Sequence, residues 1–116
     1  MSRAFAQESV LHASGAETVD GDGADLGYTP DKAIFVLSIT AKAGTNPTLD
    51  VTIEEKHPAT GVYFVIDTFP QQVAEATVRR ALSGPVGGTI RASWDVGGTG
   101  GPSFTFSLSV EGKQAP

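Results

Sequence analysis

The stretch Ser103-Phe104-Thr105-Phe106-Ser107-Leu108-Ser109-Val110-Glu111 decides the fold class. Successive side chains of an extended chain leave the backbone on opposite sides. Phe104, Phe106, Leu108 and Val110 therefore share one face, and Thr105, Ser107 and Ser109 the other. This is the pattern of a strand with one side packed and one side wet. A helix would spread the same four apolar side chains around its circumference. The alternation recurs in Thr48–Glu54, where Leu49, Val51 and Ile53 oppose Asp50, Thr52 and Glu54. It recurs again in Thr89–Val96, where Ile90, Ala92, Trp94 and Val96 oppose Arg91, Ser93 and Asp95.

Other segments extend the set. Lys32–Lys42 contains Ile34-Phe35-Val36-Leu37-Ser38-Ile39, apolar on both sides as a central strand requires. Tyr63–Phe69 is a similar run, and Ala76–Leu82 alternates Val78 and Leu82 with Thr77 and Arg79. Glu8–Ala13 and Glu17–Asp20 are weaker candidates. Between these segments stand glycine and proline: Gly44-Thr45-Asn46-Pro47, Ser83-Gly84-Pro85-Val86-Gly87-Gly88 and Gly97-Gly98-Thr99-Gly100-Gly101-Pro102 read as connections. His57-Pro58-Ala59-Thr60-Gly61 reads as a hairpin closing Thr48–Lys56 on Tyr63–Phe69. The only helical signal is one turn around Gln71–Glu75. The expectation is an all-β antiparallel sandwich of about eight short strands, jelly-roll or immunoglobulin-like. Residues 9–112 form its single domain, 1–8 an N-terminal arm and 113–116 a C-terminal tail.

Composition restricts function. The 116 residues hold no cysteine, which removes disulfides, thiolate metal sites and thiol nucleophiles. A net charge of −5, with Arg79-Arg80 the nearest approach to a basic cluster, argues against nucleic acid as a partner. The longest apolar stretch, Ala33 to Leu37, is strand-sized and far short of the roughly 20 residues that span a bilayer. The N-terminus lacks the apolar centre of a signal peptide, so synthesis in the cytoplasm is expected.

Side chains able to do chemistry are few. His12 and His57 stand outside any metal or nucleophile motif and read as solvated. Asp20-Gly21-Asp22-Gly23-Ala24-Asp25 resembles the start of a calcium loop. Ala24 and Asp25 break that pattern and no glutamate closes it, so a solvated turn is the simpler reading of Asp20, Asp22 and Asp25. Glu54 and Glu55 point to opposite sides of one strand and cannot face one substrate. The glycines at 97–101 lack the lysine and helix of a phosphate loop, and read as a turn or as a close approach to another backbone. Trp94 belongs to an inward row and reads as core. Arg79 and Arg91 fall on polar faces, where an acidic partner or ordinary surface ion pairing accounts for them. Tyr28 and Tyr63 are the aromatic residues expected outside the core. No enzyme and no cofactor follows.

The segment Gly44–Glu54, Phe69, the segment Leu82–Trp94, Gly97-Gly98 and Pro102–Phe106 together resemble the small β-rich capsid decoration, or cement, proteins of tailed bacteriophages. The resemblance spans about two thirds of the chain, Lys32 to Glu111. It implies a virion structural protein made in the host cytoplasm and bound to the capsid exterior. Its partners would be the major capsid protein and further copies of itself, as trimers or dimers at symmetry axes. Met1–Glu8 would then dock by adding a strand to a neighbour's sheet. Arg3, Phe5, Arg79, Arg80 and Arg91 are the candidate interface residues. A neck or tail component of the same virion, or a carbohydrate-binding module, are the alternatives.

Overall fold

A computed structural model describes residues 6–27, 32–82 and 88–113. Among them every regular element is a strand: β1 (Ala6–Glu17), β2 (Gly21–Asp22), β3 (Leu26–Gly27), β4 (Lys32–Lys56), β5 (Tyr63–Thr68), β6 (Ala76–Leu82) and β7 (Thr89–Lys113). They form one antiparallel sheet of seven strands, with β4 and β7 side by side at its centre. β1, β2 and β3 pair with the outer edge of β7, and β5 and β6 with that of β4.

The alternating rows behave as read. Phe35, Leu37, Ile39, Leu49, Val51, Ile53, Ile90, Ala92, Trp94, Phe104, Phe106, Leu108 and Val110 are all buried in one apolar cluster. β6 occupies Ala76–Leu82, and β4 and β5 form the expected hairpin, closed by His57 N–H donating to the Val62 carbonyl at 2.8 Å.

The glycine-proline segments differ from expectation. Gly44–Pro47 and Gly97–Pro102 do not separate strands; they lie inside β4 and β7, each 25 residues long. The pairing crosses both, through Ala43 with Ser103, Thr45 with Thr99 and Thr48 with Gly97. Because the irregular residues lie opposite each other, their register shifts compensate and the ladder continues through a bend. The bend is sharp. Trp94 and Phe106 stand twelve positions apart on β7, a span of about 40 Å in a straight strand, yet their ring centroids are 5.8 Å apart. Gly44 and Gly98 make it possible. Both have left-handed φ, +103° and +116°, and lie against Pro102 and Pro47 of the facing strand.

Four further expectations change. The chain has no helical turn at Gln71–Glu75; Gln72 instead bridges to Leu49. β5 is an edge strand with Phe64 and Val65 exposed, unlike the central strand its apolar run suggested. β1 begins at Ala6, inside the segment read as an arm, and β7 ends at Lys113, inside the segment read as a tail. His12 is buried, not solvated, because a bulge in β1 between Val10 and His12 turns both Leu11 and His12 inward. The connection at Ser83–Gly87 lies outside the described residues.

Candidate interaction surface

The bend gives the molecule two outer faces of different chemistry. Over β2, β3, β5 and the adjoining halves of β4 and β7, the outward residues include Asp22, Asp50, Glu54, Lys56, Arg91 and Asp95. Arg91 is the centre. Its Nε donates to Glu54 at 2.8 Å, its second terminal nitrogen lies 3.7 Å from Asp22, and its guanidinium carbon sits 3.4 Å from the centre of the Tyr63 ring. The Tyr63 hydroxyl donates to Asp25 at 2.7 Å, and Lys56 lies 3.5 Å from the same carboxylate. Tyr63 thus spans the sheet from edge to edge, tying β5 to the segment between β2 and β3.

The titration of these groups follows from the contacts. The phenol hydrogen bond holds the Asp25 carboxyl below its usual range, with Lys56 acting in the same sense. The same bond raises the Tyr63 phenol above its usual value. Partial burial works against the Arg91 charge, but the Glu54 hydrogen bond and the nearby Asp22 and Glu54 carboxylates outweigh it, so its value rises. Replacing Asp25 by asparagine should bring the Tyr63 phenol down toward free tyrosine, read by carbon NMR of labelled tyrosine. A Tyr63 signal unmoved by that change would show the contact to be absent in solution. The linked stability is small because the pair is exposed. Its Asp25 part is present above the unfolded carboxyl value and fades as pH falls through the lowered one; its Tyr63 part fades as pH rises through the raised phenol value.

The carboxylates of the calcium-like stretch face three different partners: Asp20 accepts the Val96 N–H at 2.8 Å, Asp22 faces Arg91, and Asp25 serves Tyr63 and Lys56. His57 is exposed in the β4–β5 turn, where its Nδ1 takes the Thr60 N–H at 3.3 Å. His12 Nδ1 lies 3.0 Å from the Phe106 carbonyl and its Nε2 2.7 Å from Glu17. Its ring stacks on Phe106, with centroids 4.1 Å apart. That environment is a packed edge of the core.

No protein-family model matches the sequence, and no curated protein matches it. The surface residues therefore carry the functional reading.

Of the interface candidates, Arg3 and Phe5 lie outside the described residues, as does Tyr28. Arg80 points inward from β6, opposite Phe35, and reaches across the open edge to Asp67 of β5 at 2.8 Å. This contact raises the Arg80 value, mainly through the hydrogen bond. Arg91 is engaged within the chain as described. Arg79 alone of the three is exposed on the opposite outer face, with no ion-pair partner among the described residues. Nothing in the residue pattern signals the Tyr63–Asp25 link, since partners 38 positions apart meet only once the sheet is formed.

Proposed function

We propose that the protein is a non-enzymatic structural component of a tailed-bacteriophage virion, bound to the outside of the capsid as a decoration or cement protein, and that its bent sheet is a jelly-roll β-sandwich. The sandwich reading is supported by how the halves of the long strands pair. β1, the later half of β7, the earlier half of β4 and β6 form one group of four. β2 with β3, the earlier half of β7, the later half of β4 and β5 form the other. Two four-stranded groups joined by strands that turn a corner match the jelly-roll pattern. The Arg80–Asp67 contact between the two edge strands fits two layers facing each other.

The capsid reading rests on one observation. Gly44–Glu54, Thr89–Trp94 and Pro102–Phe106, which carry much of the resemblance to decoration proteins, are neighbours on the β4–β7 ladder and its bend. A resemblance gathered on the element that organises the fold is more informative than the same residues scattered over loops. The major capsid protein and further copies of this chain are the partners in this reading, and the capsid exterior its location. A carbohydrate-binding role is less well supported, because Trp94 is buried and Tyr63 is covered by Arg91.

The test is co-sedimentation with phage heads, with copy number measured against the shell subunit. Copies on the order of hundreds per head are expected for a decoration protein on a symmetric shell. A dozen or fewer would assign it to the neck or tail, and absence from the particle would overturn a virion role.

A further inference from the structure

We propose that a cleft beside the bend of β4 binds the C-terminus of an extended partner peptide, with the terminal carboxylate at Lys42 and a short aliphatic last side chain against Val73 and Pro47. The site is independent of the capsid reading, and a particle test that fails leaves it standing.

Strand pairing leaves the cleft open. One edge of β4 pairs with β7 on both sides of the bend. On the other edge β6 reaches only to Ile39, paired with Ala76, and the chain returns at Leu49, where Gln72 exchanges two backbone hydrogen bonds of 2.9 Å. Between these two contacts no strand among the described residues covers that edge of β4. The gap is a cleft of about 440 Å³ lined by Lys42, Gly44, Asn46, Pro47, Thr48 and Val73, a size ordinary for a small-ligand site. Its walls are fixed in advance. The Gln72–Leu49 bonds hold the segment that carries Val73 against β4, and Pro47 is buried where Gly98 meets it. Asn46 is held at φ +48°, the one left-handed residue other than glycine among the described residues. Backbone in that region costs free energy and gathers at binding sites, where it fixes the lining before the ligand arrives.

The lining selects the ligand. Lys42 and Asn46 are exposed and Thr48 is half-buried. Among the described residues Lys42 has no carboxylate partner, and neither the Asn46 amide nor the Thr48 hydroxyl has a hydrogen-bond partner. An ammonium, an amide and a hydroxyl with no carboxylate beside them in the lining suit an anion with two acceptor oxygens. Asp50, the acidic residue nearest to them in sequence, is engaged by Gln71 at 3.1 and 3.3 Å. The apolar part of the lining, Val73 and Pro47, is enough to cover only a short aliphatic side chain. The uncovered edge of β4 then favours a peptide over a free acid or a phosphate. Unpaired N–H and C=O groups on a sheet edge are a template for another extended chain. A free acid would use the lysine and leave that edge idle. With one cation and a short length of edge, Kd is expected on the order of 1 mM.

Titration of the full chain, followed by backbone amide NMR, tests this with an N-acetylated tetrapeptide of three alanines and a C-terminal valine. Saturable shifts are expected at Lys42, Asn46, Thr48 and Val73. The same peptide with an amidated C-terminus should bind about tenfold more weakly, the loss of one charge-assisted hydrogen bond. Lys42→Met should weaken the acid peptide by a similar factor and make acid and amide bind alike, a convergence that a general loss of structure would not produce. Because Lys42 is exposed, the thermal melt of this variant should match the parent's. Four results would each overturn the proposal: no saturable shift up to about 10 mM peptide, shifts that map elsewhere, an amide that binds as well as the acid, or isovalerate that binds as well as the peptide.

Discussion

Replacing Gly98 by alanine should cost about 2–6 kcal/mol, a large share of what a domain of this size has to spare. Two effects combine. At φ +116° the residue occupies backbone space that an L side chain rarely adopts, with a strain of about 1–3 kcal/mol. A Cβ there would also lie 2.9 Å from the Pro47 Cα and 3.0 Å from the Asn46 carbonyl oxygen. Both obstacles are backbone, so no rotamer change relieves them, and the overpacking adds about 1–3 kcal/mol. Gly44→Ala should behave alike, since its Cβ would meet the Pro102 Cα at 2.7 Å. Two other glycines calibrate the result. Gly101 has φ +73° but open space around it, so alanine there should cost only the conformational part, about 1–2 kcal/mol. Gly88 has open space and no left-handed φ, so alanine should be near neutral. Urea unfolding reads all four as midpoint shifts at constant slope. Equal costs at Gly98 and Gly101 would mean that the two long strands do not touch at the bend.

This pair of glycines also marks where the sequence stops being readable. Alternation along Ser103–Glu111, Thr48–Glu54 and Thr89–Val96 identified the buried row of each strand because facing is a local property, set by the pleat alone. Continuity is not local. Gly44–Pro47 looks like a chain break until Gly97–Pro102 is placed opposite it, and only the pair shows that two irregularities preserve one ladder. His12 illustrates the same limit on a smaller scale. Strict alternation from Val10 directs it to solvent; one extra residue in β1 turns it inward against Phe106, and the bulge leaves no mark on the apolar pattern. Arg80 was legible as a cation but not as the closure of an edge, because Asp67, its partner, belongs to a different strand. The surface followed the same rule. Outward positions were readable for Arg79 and Arg91, but which of them would be matched within the chain depended on Glu54 and Asp22 coming to lie on either side of Arg91 once the sheet is formed.

Phe106→Ala should cost about 3–5 kcal/mol, the range for a fully buried phenylalanine. It also strips His12 of the ring on which it stacks. A gentler pair of changes tests the bend itself. Trp94 and Phe106 meet edge to face, with ring planes at 75° and centroids 5.8 Å apart. Aromatic pairs in that geometry couple by about 0.5–1.5 kcal/mol beyond the area they bury. A double-mutant cycle of Trp94→Leu and Phe106→Leu should therefore give a coupling in that range, while each single change leaves enough of the core for cooperative unfolding. An unbent β7 would hold the two residues about 40 Å apart, where substitutions add independently. The coupling thus distinguishes a folded-over ladder from a flat one without a second structure. A value indistinguishable from zero would remove the bend, and with it the enclosure of Leu49, Val51 and Ile53 by the same cluster that holds Phe35, Leu37 and Ile39.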